Sequence, residues 1–182
     1  MKLLITLVSA SLLLSQAFAA YDIRDYGAIA NDDSLHAEEK NTWAFLQALS
    51  AANSTDVEAD REVLVPGDLT FNMLNLQAAY IKNVTITIDG TIMASKRNHH
   101  YKTSTNGKGK TKVIDFFDFF EVHNFKIQGR GTVDGQGYMW WIRDYIQRNP
   151  YGRPCLINVD RGTNLEFTGV KWQNAAFYHM KI

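Results

Sequence analysis

Two patterns of apolar and polar residues divide the chain, a helical pattern before about residue 55 and a strand-like pattern after it. Asp32-Asp33-Ser34 offers side-chain oxygens that can cap a helix N-terminus, and Asn53 is a suitable C-terminal stop. Between them, four apolar residues recur at the i, i+3, i+4, i+7 spacing of a single helix face: Phe45, Ala48, Leu49 and Ala52. These positions predict one amphipathic helix that packs its apolar face against the rest of the chain.

Downstream, apolar residues alternate with polar residues, as they do in half-buried β-strands. Val63-Leu64-Val65 before Pro66-Gly67 predicts a strand followed by a turn. The pattern Asn-apolar-x-apolar-x then begins at Asn83, Asn124 and Asn164, at spacings of 41 and 40 residues. Asparagine adopts the left-handed turn conformation more readily than most residues. Short strand units at near-constant spacing predict a solenoid in which each coil buries its apolar face against the next.

The repeat spacing also predicts insertions, because 40 to 41 residues exceed the roughly 20 to 30 residues of a bare coil. Residues 96–112 and 136–152 have the polar or aromatic composition of loops that project from such a stack. The second segment contains Tyr138, Trp140 and Trp141, whose flat rings could stack on sugars. We favour the alternative, in which these rings pack the loop against the wall of the solenoid.

The first 19 residues have the composition of a secretory signal peptide. Lys2 precedes an apolar stretch at residues 3–14, and Ala17-Phe18-Ala19 forms a small-x-small cleavage site. This stretch is shorter than the roughly 20 apolar residues of a membrane helix, which argues against an uncleaved anchor. The sequence therefore predicts a signal peptide over residues 1–19, one domain over residues 20–182, and a secreted, extracellular product.

Secretion makes two N-glycosylation sequons relevant, Asn53-Ser54-Thr55 and Asn83-Val84-Thr85. Asn83 is also the first residue of the repeat, where a stack of turn asparagines would compete with a glycan for the side chain. We therefore expect Asn53, at the end of the predicted helix, to be the better acceptor.

The charge balance and the cysteine content exclude few classes of function. The 19 Lys and Arg residues balance 19 Asp and Glu residues, so global charge favours neither nucleic acid, nor a membrane, nor an anionic polysaccharide as partner. Cys155 is the single cysteine, so no disulfide can form within the chain. It is either a small buried hydrophobe or a thiol whose partner lies elsewhere.

Four segments form an ordered set of motifs. The most specific is residues 129–141, Gly-Arg-Gly-Thr-Val-Asp-Gly-Gln-Gly-Tyr-Met-Trp-Trp; the others are residues 21–28 with Asp32-Asp33, residues 153–157, and residues 174–179. Together they resemble the polygalacturonase-type glycosidases, glycoside hydrolase family 28. The resemblance implies an all-β, right-handed parallel β-helix with an N-terminal capping α-helix. It also implies that residues 20–182 are the N-terminal part of that domain, truncated at the C-terminal end before the family's catalytic strand.

The resembled family carries its two catalytic aspartates in Asn-Thr-Asp and Asp-Asp motifs, with Gly-His-Gly and Arg-Ile-Lys completing the site. Asn-Thr-Asp, Gly-His-Gly and Arg-Ile-Lys do not occur in this sequence, and Asp32-Asp33 lies in the cap region. Asp115, Asp134 and Asp160 could stack on successive coils, but Asp134 stands in Asp-Gly-Gln-Gly, which predicts a turn. We therefore expect no catalytic residue in this chain and no hydrolysis by the chain alone.

Candidate substrate-binding residues come from two places. Lys96 and Arg97 begin a basic stretch, residues 96–112, that contains no acid and suits the carboxylates of a galacturonate polymer, although many such stretches are only solvated loops. Asn174 and His179 match a family segment close to the catalytic strand, where a substrate role and a turn role are both open. The adjacent histidines at 99 and 100 have no further ligand cluster, so we expect no metal site and no cofactor.

The function that the resemblance implies is that of a secreted, pectin-degrading glycosidase of polygalacturonase type. Its partner would be a polysaccharide, pectin or polygalacturonate, hydrolysed at α-1,4 linkages. The alternative is a non-catalytic carbohydrate-binding or structural β-helix fragment. A β-helical pectate lyase would need clustered acidic oxygens for Ca²⁺, which the sequence does not offer.

Overall fold

The computed structural model describes residues 20–58 and 61–182. The predicted signal peptide, residues 1–19, lies outside the described residues. Within these residues the α-helices are α1 (Leu35–Ser54) and α2 (Tyr138–Tyr145). The strands are β1 (Tyr21–Asp22), β2 (Glu62–Val65), β3 (Thr70–Met73), β4 (Leu76–Ile88), β5 (Thr91–Ala94), β6 (Thr103–Thr105), β7 (Thr111–Val113), β8 (Phe117–Gln128), β9 (Thr132–Asp134), β10 (Ile157–Phe167), β11 (Lys171–Gln173) and β12 (Met180–Lys181).

The strands wind into stacked coils. β1, β2, β4, β8, β10 and β12 lie side by side in one parallel sheet, and β3, β5, β9 and β11 form a second. Ile86 of β4 lies beside Val63 of β2 on one side and Ile127 of β8 on the other, so equivalent residues of successive coils are in register. Parallel strands joined by crossovers wind in the right-handed sense. The predicted right-handed parallel β-helix is confirmed.

The three longest strands bend midway at a corner that the repeat had marked. Each corner has two residues with positive φ, the second being Asn83, Asn124 or Asn164 at φ values of 56°, 50° and 51°. The Asn124 amide nitrogen donates to the Asn83 amide oxygen at 2.7 Å, and that of Asn164 donates to Asn124 at 2.8 Å. The repeat thus encodes an asparagine ladder, which lies exposed along the edge of the stack.

Replacing the middle rung of this ladder tests its contribution. We expect Asn124→Ala to lower the free energy of unfolding by about 2 kcal/mol. The variant loses two hydrogen bonds, and alanine adopts the left-handed conformation of this corner less readily than asparagine does. Asn124→Gly keeps the left-handed conformation accessible and should cost about half as much. Urea unfolding of the three proteins measures the differences. Equal stability of all three would show that the ladder contributes nothing.

The interior of the coils is filled by rows of aligned apolar side chains. Leu76, Phe117 and Ile157 form one row across β4, β8 and β10, and all three are fully or almost fully buried. Such aligned rows follow directly from the period of two along each strand combined with parallel register. A residue buried in one coil therefore covers the equivalent residue of the next.

Helix α1 caps the first coil, as its pattern predicts. The Ser34 hydroxyl accepts a hydrogen bond from the Ala37 amide at 3.2 Å, which confirms the predicted N-cap. Phe45 on its buried face stacks against Phe117, with ring centroids 5.6 Å apart. Among the described residues, neither helix combines the length and apolar character needed to cross a bilayer.

The glycines of the 129–141 motif allow the coils to approach one another. A Cβ on Gly131 would lie 2.0 Å from the carbonyl oxygen of Gly90 in the previous coil, and one on Gly129 would lie 2.1 Å from that of Ile88. The Gly131 amide donates to the Ile88 carbonyl at 2.8 Å, so the close approach also forms a hydrogen bond. The most specific segment of the resemblance therefore serves the packing of the coils.

Both predicted insertions project from the stack, but their structures differ from simple loops. Residues 96–112 contain β6 and all but the last residue of β7, and these two strands form an antiparallel hairpin. The second insertion contains α2, which the sequence interpretation missed and described as a loop. A helix lets these eight residues pair their backbone N–H and C=O groups with one another, since they have no neighbouring strand. Trp140 of α2 is buried and packs edge-on against Tyr101, with ring centroids 5.2 Å apart. The packing interpretation holds for Trp140, whereas Tyr138 is exposed.

The two glycosylation candidates have different surroundings. The Asn53 side chain binds the first corner: its nitrogen donates to the Tyr80 carbonyl at 3.2 Å and its oxygen accepts from the Lys82 amide at 2.8 Å. Asn83 enters the ladder through its oxygen and is exposed. Glycosylation of either residue stays a prediction. The expected preference for Asn53 is not favoured by these contacts, because its amide nitrogen already holds the corner backbone.

Candidate functional site

The strands of the second sheet all end at the same edge, and the loops that follow them lie side by side there. We call residues 95–102, 135–156 and 174–179, which follow β5, β9 and β11, the loop rim. The carboxyl ends of parallel strands meet at one edge of a sheet, so segments far apart in sequence become neighbours there. The Gln136 side chain, for example, donates to the Ala94 carbonyl of the previous coil at 2.5 Å.

Asp134 organises the rim as a structural residue. Its Oδ1 accepts from the Gln136 amide at 2.9 Å, closing the predicted turn. Its Oδ2 accepts from the side chains of Gln173 at 2.7 Å and Asn174 at 2.9 Å in the next coil. The geometry agrees with the turn interpretation of Asp134 and gives Asn174 a role in joining two coils. Asn174 itself has a positive φ of 53°, as a turn residue would.

Arg97 belongs to a partly buried network at the other end of the rim. Its guanidinium lies 2.6 Å from Oε1 of Glu38, a helix α1 residue whose side chain is only 2% exposed, and it also donates to the Asp33 carbonyl at 2.7 Å. The second oxygen of Glu38 accepts from the Ser95 hydroxyl at 2.8 Å. The Arg97 charge is therefore used to join the capping helix to the rim. Lys96, its neighbour, is exposed.

A groove opens beside the rim, between the second insertion and the start of β12. It has a volume of about 470 Å³. Three cationic side chains line it together with three aromatic rings and two carboxylates: Lys112, Arg153 and Lys181; Tyr151, Phe177 and Tyr178; Asp115 and Asp144. We call it the rim groove.

Arg153 is the best-positioned cation of the rim groove. Its Nε lies 3.3 Å from Oδ2 of Asp144 on α2, and its guanidinium lies over the Phe177 ring, 5.1 Å from the centroid. Nη1 also donates to the Ala176 carbonyl at 3.3 Å, and the Trp141 indole donates to the same oxygen at 3.1 Å. A planar guanidinium held in this way can present its remaining N–H groups to a carboxylate.

The floor of the rim groove contains Asp115 and Cys155. Burial raises the pKa of the Asp115 carboxyl, although its Oδ1 accepts a hydrogen bond from the Cys155 amide at 2.6 Å, which opposes the shift. Burial likewise raises the pKa of the Cys155 thiol, with the charge of Asp115 adding to it. A thiol kept protonated in this way is a poor nucleophile. The Cys155 side chain is buried, as the first of the two alternatives expects.

A polar ladder borders the rim groove on the outer face of the first sheet. Asp118 accepts hydrogen bonds at 2.7 Å from Gln77 in the coil before it and from Asn158 in the coil after it. Asn158 pairs in turn with Lys181 of β12, which lines the groove. The groove therefore opens onto a surface of amides and carboxylates that can hydrogen-bond sugar hydroxyls.

The four predicted substrate-binding residues all lie on the loop rim, but in two places. Lys96 and Arg97 follow β5, and Asn174 and His179 lie in the segment after β11. Arg97 and Asn174 are held in protein contacts, whereas His179 is exposed. Sequence reasoning missed Arg153 as a candidate, although the family segment that contains it, residues 153–157, was recognised. The sequence did offer a signal for Arg153. Proline restricts the backbone of the residue before it, so Pro154 helps to hold Arg153 in one position.

No metal centre is found in the part of the chain that the structure describes, where no three His, Cys, Asp or Glu side chains come together. His99 and His100 lie next to each other with ring centroids 4.3 Å apart, but without a third ligand. The cations and aromatic rings of the rim groove suit a ligand that carries negative charge and flat apolar faces. A pair of opposed free carboxylates, which inverting glycoside hydrolysis needs, is not formed by Asp115 and Asp144, since one binds a backbone amide and the other pairs with Arg153.

Comparison with known proteins gives a consistent result. The sequence profile of glycosyl hydrolases family 28 matches residues 56–182. An exopolygalacturonase of Zea mays is 30% identical over 169 residues, which cover 90% of this chain and 37% of the relative. A polygalacturonase of Chamaecyparis obtusa is 25% identical over 172 residues, covering 90% of this chain and 30% of the relative.

Comparison with solved structures leads to the same family. The structure of a family 28 exopolygalacturonase of Yersinia enterocolitica superposes with a TM-score of 0.67 at 16% identity, covering 87% of this chain and 35% of that one. The chain thus spans about a third of the length of the relatives it matches. From the family profile, the ordered motifs and the shared fold, we conclude that this chain belongs to glycosyl hydrolases family 28.

Proposed function

We propose that this chain forms coils of a pectin-degrading glycosidase that hydrolyses α-1,4-linked galacturonan. The observation that carries the proposal is the rim groove of a family 28 chain, in which Lys112, Arg153 and Lys181 lie beside aromatic rings. Galacturonan bears one carboxylate on each sugar, so a groove with fixed cations and flat apolar faces complements it in charge and shape. The names of the Zea mays and Chamaecyparis obtusa relatives, exopolygalacturonase and polygalacturonase, support the same substrate.

The proposal includes an extracellular location, with residues 1–19 removed as a signal peptide. Its support is the charged, apolar and small-residue order of that segment, together with a substrate that lies outside cells. N-terminal sequencing of exported protein should begin at Ala20. Exported protein that begins at Met1 would contradict this part of the proposal.

The 182-residue chain by itself should be inert on polygalacturonate. General acid and base groups each contribute about 10²–10⁴-fold to such reactions, and the Asn-Thr-Asp motif that supplies one of them is not in this sequence. The purified chain should release no more reducing sugar than a heat-denatured sample. Release that is lost in Asp134→Asn, in a protein whose thermal melt equals that of the wild type, would show that Asp134 is catalytic.

The alternative function is that of a non-catalytic, carbohydrate-binding or structural β-helix fragment. The coding sequence distinguishes the two. An Asn-Thr-Asp motif in frame within about one coil, or 20 to 30 codons, of Ile182 supports the hydrolase. A stop codon directly after Ile182 supports the binding protein. Either result leaves the chemistry of the rim groove as the basis of sugar recognition.

A further inference from the structure

A lysine-rich hairpin projects from the β-helix beside the rim groove. Its strands, β6 and β7, are antiparallel, with Thr103 opposite Val113 and Thr105 opposite Thr111. Residues 102–110 are all exposed, and residues 97–114 contain no acidic side chain. Four lysines lie in this hairpin, which we call the basic hairpin: Lys102, Lys108, Lys110 and Lys112.

The base of the basic hairpin is fixed to the β-helix. Asn75, which is fully buried, donates to the carbonyls of Lys102 at 3.1 Å and Ile114 at 3.0 Å and accepts from the Lys102 amide at 2.9 Å. Buried Val113 also donates its amide to the Tyr151 carbonyl at 3.0 Å. The hairpin is therefore anchored on both of its strands and projects in a defined direction.

The tip of the basic hairpin is also organised. The Asn106 side chain accepts hydrogen bonds from the amides of Lys108 and Lys110 at 3.0 Å each. Gly109, with a φ of 75°, donates its amide to the Asn106 carbonyl at 2.9 Å. Lys108 and Lys110 are consequently presented on a preformed turn, which lowers the entropy lost when they bind a partner.

Two of these lysines continue the line of cations in the rim groove. A second hollow of about 590 Å³ lies along the hairpin and is lined by Lys110 and Lys112. Lys112, Tyr151 and Gly152 line both hollows, so the two form one continuous depression. Lys110 immediately precedes β7 and Lys112 lies on it, so their Cα atoms are at most about 7 Å apart.

The charges of this depression are unbalanced. Its four cations, Lys110, Lys112, Arg153 and Lys181, face only Asp115 and Asp144 among the acidic side chains that line it. Asp144 is paired with Arg153 at 3.3 Å, so three lysines face one further carboxylate, that of Asp115, even when this pair is set aside. A chain with balanced overall charge thus concentrates positive charge along one depression.

We propose that the basic hairpin is an accessory binding arm for polyuronate, which extends the rim groove and selects runs of sugars with free carboxylates. This rests on the proposed function, since it takes the same polymer as ligand. A linear polymer with a carboxylate on each sugar can meet Lys112 and Lys110 in succession as it leaves the groove. Neutral, esterified stretches of the polymer would lack these contacts.

Binding of polygalacturonate oligomers, measured calorimetrically at two salt concentrations with the full 182-residue chain, tests this arm. The double variant Lys110→Gln/Lys112→Gln should bind about tenfold more weakly at low salt, since two exposed ion pairs are lost, and its affinity should depend less on salt. Lys40→Gln/Lys82→Gln removes the same charge from exposed lysines outside the depression and should bind like the wild type. Equal thermal melts of the three proteins establish that folding is unchanged.

Several results would overturn the binding arm. They are unchanged affinity of the hairpin variant, equal weakening by the control variant, equal binding of fully methyl-esterified oligomers, and tighter binding of single-stranded DNA or anionic vesicles than of polygalacturonate. Because binding is read without turnover, these results do not depend on hydrolysis. A coding sequence without the catalytic motif would remove the hydrolase proposal while hairpin-dependent binding upholds the arm.

Discussion

Gly131→Ala is expected to lower the free energy of unfolding by about 4 kcal/mol or more, a large part of the roughly 5–15 kcal/mol that stabilises a domain. The added Cβ would lie 2.0 Å from the Gly90 carbonyl oxygen and 2.7 Å from that of Ile88. Both neighbours are backbone atoms of the adjacent coil, so no side chain can rotate away to relieve the contact. The coils would have to separate, and the Gly131–Ile88 hydrogen bond would be lost with them.

Gly107→Ala supplies the matched control for this experiment. Gly107 lies near the tip of the basic hairpin, where a Cβ would meet no atom within 4 Å. This variant should change the stability by less than about 0.5 kcal/mol, as most surface substitutions do. Urea unfolding followed by circular dichroism compares both variants with the wild type. Similar stabilities for Gly131→Ala and Gly107→Ala would contradict the close approach of the coils.

Arg97→Met is expected to lower the free energy of unfolding by about 3 kcal/mol. The loss arises because the Glu38 carboxylate, with a side chain only 2% exposed, would stay in the protein without its cation. Methionine retains most of the volume of the arginine stem, so the effect reports the charge more than the packing. Thermal or urea unfolding near neutral pH measures it.

Lys96→Met, at the adjacent exposed position, is the control and should have almost no effect on stability. The double variant Glu38→Gln/Arg97→Met should recover much of the lost stability, because it removes the buried charge while leaving an amide oxygen to accept from Ser95. Polygalacturonate binding by Arg97→Met should equal that of the wild type under conditions where both are folded. A stable Arg97→Met protein with weakened binding would return Arg97 to the substrate-binding role that the sequence suggested.

The sequence predicted the elements whose signals are local. The 3.6-residue period around Phe45 and Leu49 identified α1, and the alternation after Asn83, Asn124 and Asn164 identified one face of three successive coils. Because each coil repeats the same pattern, the stacking of coils could also be inferred from spacing. The motif of residues 129–141 then indicated the family, since its glycines meet a packing requirement common to the fold.

Helix α2 could not be predicted from the same signals. Its eight residues give only two turns, too few for a helical period to stand out, and isolated helices of that length are unstable in water. Its stability comes from contacts made in three dimensions, such as Trp140 against Tyr101 and the Asn149 side chain bound to the Trp140 carbonyl at 2.8 Å. Contacts of this kind leave no pattern along the chain.

The candidate site was likewise decided by the tertiary structure. Composition alone made both Lys96 and Arg97 candidates for substrate binding. In the fold, Arg97 pairs with the buried Glu38 carboxylate, whereas Lys96 is exposed to solvent. It brings Lys112, Arg153 and Lys181, each from a different segment, to one groove. The sequence by itself determined the coil, the capping helix and the family, because these depend on local periods and on residues at fixed spacing. Only the stacking of coils decided which charges are paired and which face a ligand, because that depends on distances between residues about 40 or more positions apart.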